Sequence, residues 1–246
     1  MKRKVSLMLI LMFIMASVSA LTVNAEIVKS GSASVDVMSN YVWRGIKLSN
    51  SGVVQPSVGI TYGGFSANLW ANYDTGPNEH NETDLTLNYT YSINKVSLDA
   101  GYIFYALDGV EDTEEIYLSV GSNTILSPSI TVYYDYDEGE GYFIVASIGH
   151  SFELQQKLAL DLGASASFNA DNLVMGTDVA GKEFSDFYNG DISASLTIPV
   201  TDAVSVAPMI AYSFPLSDDA EYAIEAMSDD AESDILYGGI NVSLSF

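Results

Sequence analysis

An all-β fold is what this sequence predicts: a single closed antiparallel transmembrane β-barrel of about twelve strands, with short periplasmic turns and longer external loops. Apolar and polar residues alternate with a period of two through twelve successive segments, giving each segment one apolar and one small polar face. Most segments have the ~9–11 residues that a tilted strand needs to cross a bilayer. The connections alternate between short and long, which is the outer-membrane arrangement.

The first segment is expected over residues 33–44, with Val35, Val37, Tyr41 and Trp43 on one face and Asp36, Met38, Asn40 and Arg44 on the other. The second, 53–62, carries apolar Val58, Ile60 and Tyr62. The third, 65–73, alternates Phe65, Ala67, Leu69, Ala71 and Tyr73 with Ser66, Asn68, Trp70 and Asn72. The fourth, 84–93, sets Leu85, Leu87, Tyr89 and Tyr91 against Thr86, Asn88, Thr90 and Ser92. In the fifth, 96–105, Val96, Leu98, Ala100, Tyr102 and Phe104 oppose Asp99 and Gly101. The sixth, 115–122, is short. The seventh, 128–136, shows Ile130, Val132, Tyr134 and Tyr136 against Ser129, Thr131, Tyr133 and Asp135.

The eighth, 142–152, is nearly all apolar in its first half, so its facing stays open. Segments nine to eleven, 158–168, 188–198 and 204–214, alternate like the others. The twelfth, 235–246, places Leu236, Ile240, Val242, Leu244 and Phe246 on one parity, with Gly239, Asn241, Ser243 and Ser245 on the other. It is expected to pair back onto the first strand and close the barrel. The polar faces are Ser, Thr, Asn, Gly and Asp with little Lys or Glu, which suits a wet lumen better than an exposed surface. With that topology Trp43, Tyr73, Phe104, Tyr136, Phe168 and Phe214 form an outer aromatic girdle. Tyr62, Phe65, Tyr91, Phe152 and Phe246 form a periplasmic one.

Residues 1–25 look like a cleaved secretory signal: Lys2, Arg3 and Lys4, then an uncharged apolar run over 5–18, then Val23-Asn24-Ala25. The barrel domain is expected over 26–246. Outside the leader six basic residues face 32 acidic ones, a net of −26. That excludes nucleic acid as a partner, because phosphate binding needs clustered basic residues. The absence of cysteine excludes disulfides and thiolate metal sites. No cofactor or metal site is expected. Asp135-Tyr136-Asp137-Glu138-Gly139 lacks the spacing of a calcium loop.

Arg44 is the only arginine outside the leader, and its parity points inward, toward Asp84, Glu115, Asp135 and Asp191. It reads either as a selectivity residue or as a structural partner for a carboxylate. Asp36, Asp99 and Asp161 are inward on strands one, five and nine, near their periplasmic ends. They read as an acidic selectivity ring or as solvated carboxylates in a wide opening. The acidic 215–234 segment reads as a solvated, self-repelling loop or as a divalent-cation site at the lipopolysaccharide surface. A lipid-modifying enzyme is the rival class. It needs a nucleophile with an activating base; of the two histidines, His80 lies in an acidic external loop, and His150 lies near the periplasmic end of strand eight, with no acid partner evident and on the wrong leaflet for lipid A.

Ser39-Asn40-Tyr41-Val42-Trp43-Arg44-Gly45-Ile46 resembles the opening motif of the Gcw_chp family, the TorF-type porins of bacterial outer membranes. Gln55-Pro56-Ser57, Gly64-Phe65, Leu69-Trp70-Ala71-Asn72, Gly101-Tyr102 with Tyr105, Glu114-Glu115-Ile116-Tyr117 and Ser243-Leu244-Ser245-Phe246 continue the likeness. The resemblance implies an outer-membrane barrel of porin type. Phe246 also resembles the end signal read by the barrel assembly machinery. The expected function is a narrow passive channel for small solutes, preferring cations or neutral molecules, set among outer-membrane lipids and lipopolysaccharide. The alternative is a plugged barrel with a structural or surface role.

Overall fold

The computed structural model describes residues 29–246, so the expected leader lies outside the described residues. Alternation becomes a wall of twelve strands. In chain order these are β1 (Lys29–Met38), β4 (Val53–Tyr62), β5 (Phe65–Asp74), β6 (Glu79–Ile93), β7 (Val96–Leu107) and β8 (Thr113–Ser122). There follow β9 (Ser129–Asp135), β10 (Tyr142–Glu153), β11 (Ala159–Ala170), β12 (Ser185–Pro199), β13 (Val204–Pro215) and β14 (Ile235–Ser245). Each pairs antiparallel with its neighbour. β1 closes the ring on β14 from Ser32↔Ser245 to Met38↔Gly239, as the sequence predicts.

At the seam Gly31 N donates to Phe246 O at 2.6 Å and Phe246 N donates to Gly31 O at 2.9 Å. The Phe246 ring lies where a Cβ on residue 31 would stand, so only glycine fits opposite it.

Parity sorts the side chains. Val37, Ile60, Leu69, Leu118, Ile192, Ile210 and Leu236 point outward and stay exposed, an apolar belt that water would not tolerate and lipid covers. Inward hydroxyls pair across neighbouring strands: Ser34 with Ser57 at 2.9 Å, Thr61 with Ser66 at 3.0 Å, Ser129 with Ser147 at 2.7 Å. Such cross-strand pairs help fix register where the inner face is polar. Outward rings at the long-loop end also pair, Phe168 with Phe187 and Tyr134 with Tyr142.

Two expectations are corrected. The first strand does not run to Arg44; it ends at Met38. Residues 39–52 turn into the lumen as a separate hairpin, β2 (Tyr41–Trp43) and β3 (Ile46–Ser49), whose strands pair only with each other. Trp43 therefore leaves the outer girdle and stands inside, edge-on to Tyr105 at 5.9 Å. The reason is the Arg44-Gly45 pair, which takes the left-handed conformation at both positions and makes a tight two-residue turn. The acidic 215–234 segment is not simply a solvated loop, because it contains a helix, α1 (Asp218–Met227).

Candidate functional site: a lumen filled at one end

Arg44 sits at the tip of the inner hairpin. Its Nη1 and Nη2 donate to Glu115 Oε1 and Oε2, both at 2.7 Å. The guanidinium also lies over three rings, Trp43 and Phe143 at 4.5 Å and Tyr133 at 4.7 Å. Tyr105 donates its hydroxyl to Glu115 Oε2 at 2.9 Å. Only 1% of the Glu115 side chain is exposed. A buried ion pair recovers its desolvation cost only when geometry is good and spare lone pairs are satisfied. The two-pronged contact and the tyrosine meet both conditions.

Around this pair the hairpin carries an apolar core. Ile46 packs with Phe143, Met175, Phe184 and Tyr188 from the wall and the 171–184 loop, and with Ala220, Ala223 and Ile224 of α1. Tyr41 lies against Trp70 at 5.5 Å. The helix forms because Ser217 caps it, accepting from Ala220 N at 3.3 Å, and because Asp218, Asp219 and Glu221 suit the positive end of its dipole. Its small apolar stripe faces down onto the hairpin, while Asp218 and Glu221 face water. The long-loop half of the barrel is thus filled by two loop-borne pieces, one stacked on the other.

The two pieces are tied together. Lys47 Nζ donates to Asp230 and to Glu232, the latter at 2.9 Å, and Asp229 N donates to Lys47 O at 2.9 Å. Burial works against the Lys47 charge, yet the hydrogen bonds it donates to Asp230 and Glu232 outweigh it and hold the ammonium above its ordinary range. For Asp230 the slight burial raises the carboxyl, but the Lys47 contact outweighs it and leaves the carboxyl below its ordinary range. The signs give a window. The raised lysine contributes stability that is lost as pH rises through its folded value. The lowered aspartate contributes stability that is lost as pH falls through its own. The strap is therefore complete from mildly acidic to mildly alkaline pH. Corrected for the intrinsic pH dependence of exchange, the protection of α1 is expected to fall at strongly acidic and at strongly alkaline pH while the wall strands keep theirs. Unchanged α1 protection at both extremes would remove the strap from this account.

Of the carboxylates singled out in the sequence, only Glu115 meets Arg44; Asp84, Asp135 and Asp191 do not. Asp135 is fully buried, accepting from Thr113 Oγ1 at 2.7 Å and Asp137 N at 2.9 Å. That commits it to holding the turn after β9 rather than to lining a water path. Asp84 is half-buried, with Oδ1 making no hydrogen bond, and Glu82 is its neighbour on the same face. Asp191 accepts from Asn189 Nδ2 at 2.8 Å and Ser165 Oγ at 3.1 Å. Asp36, Asp99 and Asp161 all point inward and stay partly exposed. Asp36 accepts from Asn241 at 2.8 Å, Asp99 from Asn88 at 2.8 Å and from Thr90, and Asp161 from Thr197 at 3.1 Å. They are not on one level. Asp99 and Asp161 lie three and two residues from the short-turn ends of β7 and β11, whereas Asp36 lies two residues from the long-loop end of β1.

Residues that sequence reasoning missed share a cause. Glu82 and Asn81 belong to β6, which starts five residues earlier than expected, and Asn81 Oδ1 accepts from Asn72 at 2.7 Å. Asn189 is bonded to Ser167 and Ser213 behind the hairpin tip. Both sets are polar wall positions that become buried only once the hairpin lies across them. The histidines are engaged locally, His80 with Thr83 at 2.8 Å and His150 with the Ile125 carbonyl at 2.5 Å. Among the described residues no group of three or more His, Cys, Asp or Glu is arranged to hold a metal ion.

A closed twelve-stranded antiparallel barrel with an apolar outer belt is the fold of a transmembrane β-barrel, and this one carries a segment folded into its bore. No family model matches the chain, and a search of curated proteins matches none. Among solved structures it is similar to the KdgM porin, with TM-score 0.55 and 12% identity over 88% of this chain and 99% of that one. It is similar to the NanC porin, with TM-score 0.54 and 10% identity over 87% and 98%. The COG4313 outer membrane channel from Pseudomonas putida F1 gives TM-score 0.51 and 10% identity over 92% and 97%. At such identities the likeness is one of fold.

Proposed function

We propose that this chain is a narrow diffusion channel of the bacterial outer membrane, passing small cations and neutral solutes down their gradients, and that the inner hairpin sets its bore. The observation that carries this reading is the division of the lumen. Toward its short-turn end the inner face is lined mostly by Ser, Thr, Asn and Asp that bond one another across the wall, with Tyr117 against Tyr133 above them. The other half is filled by the hairpin and α1 packed on the wall side chains Phe143 and Tyr188 and on Met175 and Phe184 of the 171–184 loop. A barrel built as a solid peg would fill both halves from the wall. The apolar belt, the fold of the porin neighbours and the Arg-Gly-Ile stretch support the outer membrane as its place. The excess of acid over base, inside the bore and on the loops above it, supports the preference for cations.

A second reading is favoured by one observation. Ile46 and Tyr188 are 0% exposed and Phe143 is 1%, so the filled half is closed in this conformation. On that reading the barrel is sealed and serves at the surface. Planar bilayers separate the two. The channel reading expects small, steady conductance steps in KCl from protein whose heat-modifiable migration shows it folded. Folded protein that never conducts would replace the channel with the sealed barrel.

A further inference from the structure

The tip of the inner hairpin is an unusual place for an arginine. Arg44 and Gly45 both have positive φ, 50° and 84°. Two-residue turns of this kind favour Asn-Gly or Asp-Gly, and a long side chain at the first position is strained. Strain kept at a bore is a sign that the side chain is wanted there. What it reaches is a cage already complete in the wall. Four consecutive strands supply Tyr105, Glu115, Tyr133 and Phe143: a buried carboxylate oriented by a phenol, with two rings flanking the guanidinium at 4.7 and 4.5 Å. Only the third ring, Trp43, comes from the hairpin. A carboxylate that accepts in fork geometry, walled by aromatic faces, is the chemistry that recognises a guanidinium. An ammonium lacks the planar fork and satisfies such a site less well.

We propose that Arg44 stands in for a solute: the Glu115 cage is a binding site for small solutes carrying a guanidinium group, and the hairpin occupies it until such a solute displaces Arg44. The geometry suits displacement. Met38 and Val53, which flank the hairpin, are register partners at the end of β1 and β4, so the hairpin hangs from one edge of the wall. Its ladder shares no rung with the wall; Ile46 and Lys47 hold its backbone to the core and to the 228–232 segment, so displacement asks only the Arg44 side chain to leave the cage. Because Arg44 is tethered, it competes at a high effective concentration, and wild-type protein should take up free guanidinium weakly. Binding needs only the cage; a consequence for passage rests on the channel reading above.

The test is calorimetric titration of folded protein in detergent with methylguanidinium, and with methylammonium as the control. Arg44→Ala is expected to bind methylguanidinium about tenfold or more tighter than wild type, and about tenfold tighter than it binds methylammonium. The Arg44→Ala, Glu115→Gln double variant is expected to lose that gain. Arg44→Lys keeps a cation at the tip without the fork, so it should bind methylguanidinium between wild type and Arg44→Ala. This variant decides the matter if Arg44→Ala does not fold. Folded Arg44→Ala or Arg44→Lys binding no better than wild type overturns the proposal, as does a double variant that binds as well as Arg44→Ala. Titration reads binding alone, so a barrel that never conducts would sink the channel reading without touching this one.

Discussion

Replacing residues 39–52 with a two-residue turn, together with Glu115→Gln, is expected to raise single-channel conductance about tenfold, because the hairpin rather than the wall sets the bore of a twelve-stranded barrel. The change leaves the closed sheet whole. β2 and β3 contribute no rung to it, only the backbone edge bonds of Ser39 with Gly238 and of Gly52 with Thr75 are given up, and Met38 and Val53 already face each other across β1 and β4, so a tight turn spans the gap. Glu115→Gln is needed because removing Arg44 alone would leave a buried carboxylate without its counter-charge, a cost of about 3–5 kcal/mol. With the hairpin gone, Ala220, Ala223 and Ile224 lose the surface they cover, and α1 should become mobile as well. The two fillers leave together, which is why the step is large rather than incremental. Folding is checked by heat-modifiable migration and conductance by planar bilayers. A folded deletion variant with wild-type conductance would mean that something other than the hairpin closes the path.

The wall was legible because its physics is repetitive. A period of two, with Ser, Thr, Asn and Gly on one parity, places a residue on its face whatever its neighbours do. The expected strands over 53–62, 65–73 and 204–214 agree with β4, β5 and β13 to within a residue at nearly every end. The fillers were hidden for the opposite reason. Tyr41, Val42 and Trp43 continue the alternation of β1, so nothing in the period marks the point where the chain leaves the wall. The mark is conformational and weak: Gly45 suits the second position of a two-residue hairpin turn, Arg44 does not suit the first, and two short β-rich stretches flank them.

In the acidic 215–234 segment, charge masked a helix whose signals are ordinary: a Ser217 cap, acids in the first turn, and Ala220, Ala223 and Ile224 at helical spacing. The carboxylates divide in the same way. Parity alone puts Asp36, Asp99, Asp135 and Asp161 inside. Whether each meets water depends on what the loops do, and the turn after β9 folds back to bury Asp135 completely.

Charge selectivity should follow that division. Wild-type protein is expected to prefer K⁺ over Cl⁻ in a KCl gradient, because Asp99 and Asp161 face the polar short-turn part of the bore, Asp36 stands partly exposed on the inner face nearer the other end, and the only arginine outside the leader is consumed by Glu115. In a lumen with low-dielectric walls these fields add, and acidic loops at the mouth add more of the same sign. Converting all three to Asn together should lower the K⁺/Cl⁻ permeability ratio severalfold. The amides can still accept from Asn241, Asn88 and Thr197, so the wall should keep its register. Asp135→Asn removes the same formal charge from a fully buried position already committed to the turn after β9, and should leave the ratio unchanged. Because Asp36 lies on a different level from Asp99 and Asp161, the single changes should each have a partial effect rather than one of them dominating. The preference should shrink between 0.1 M and 1 M salt, where the screening length falls from about 10 Å to about 3 Å. Reversal potentials read all of this directly. A pore that prefers anions, or one whose ratio falls as much with Asp135→Asn as with the triple change, would show that these three carboxylates do not set the field in the bore.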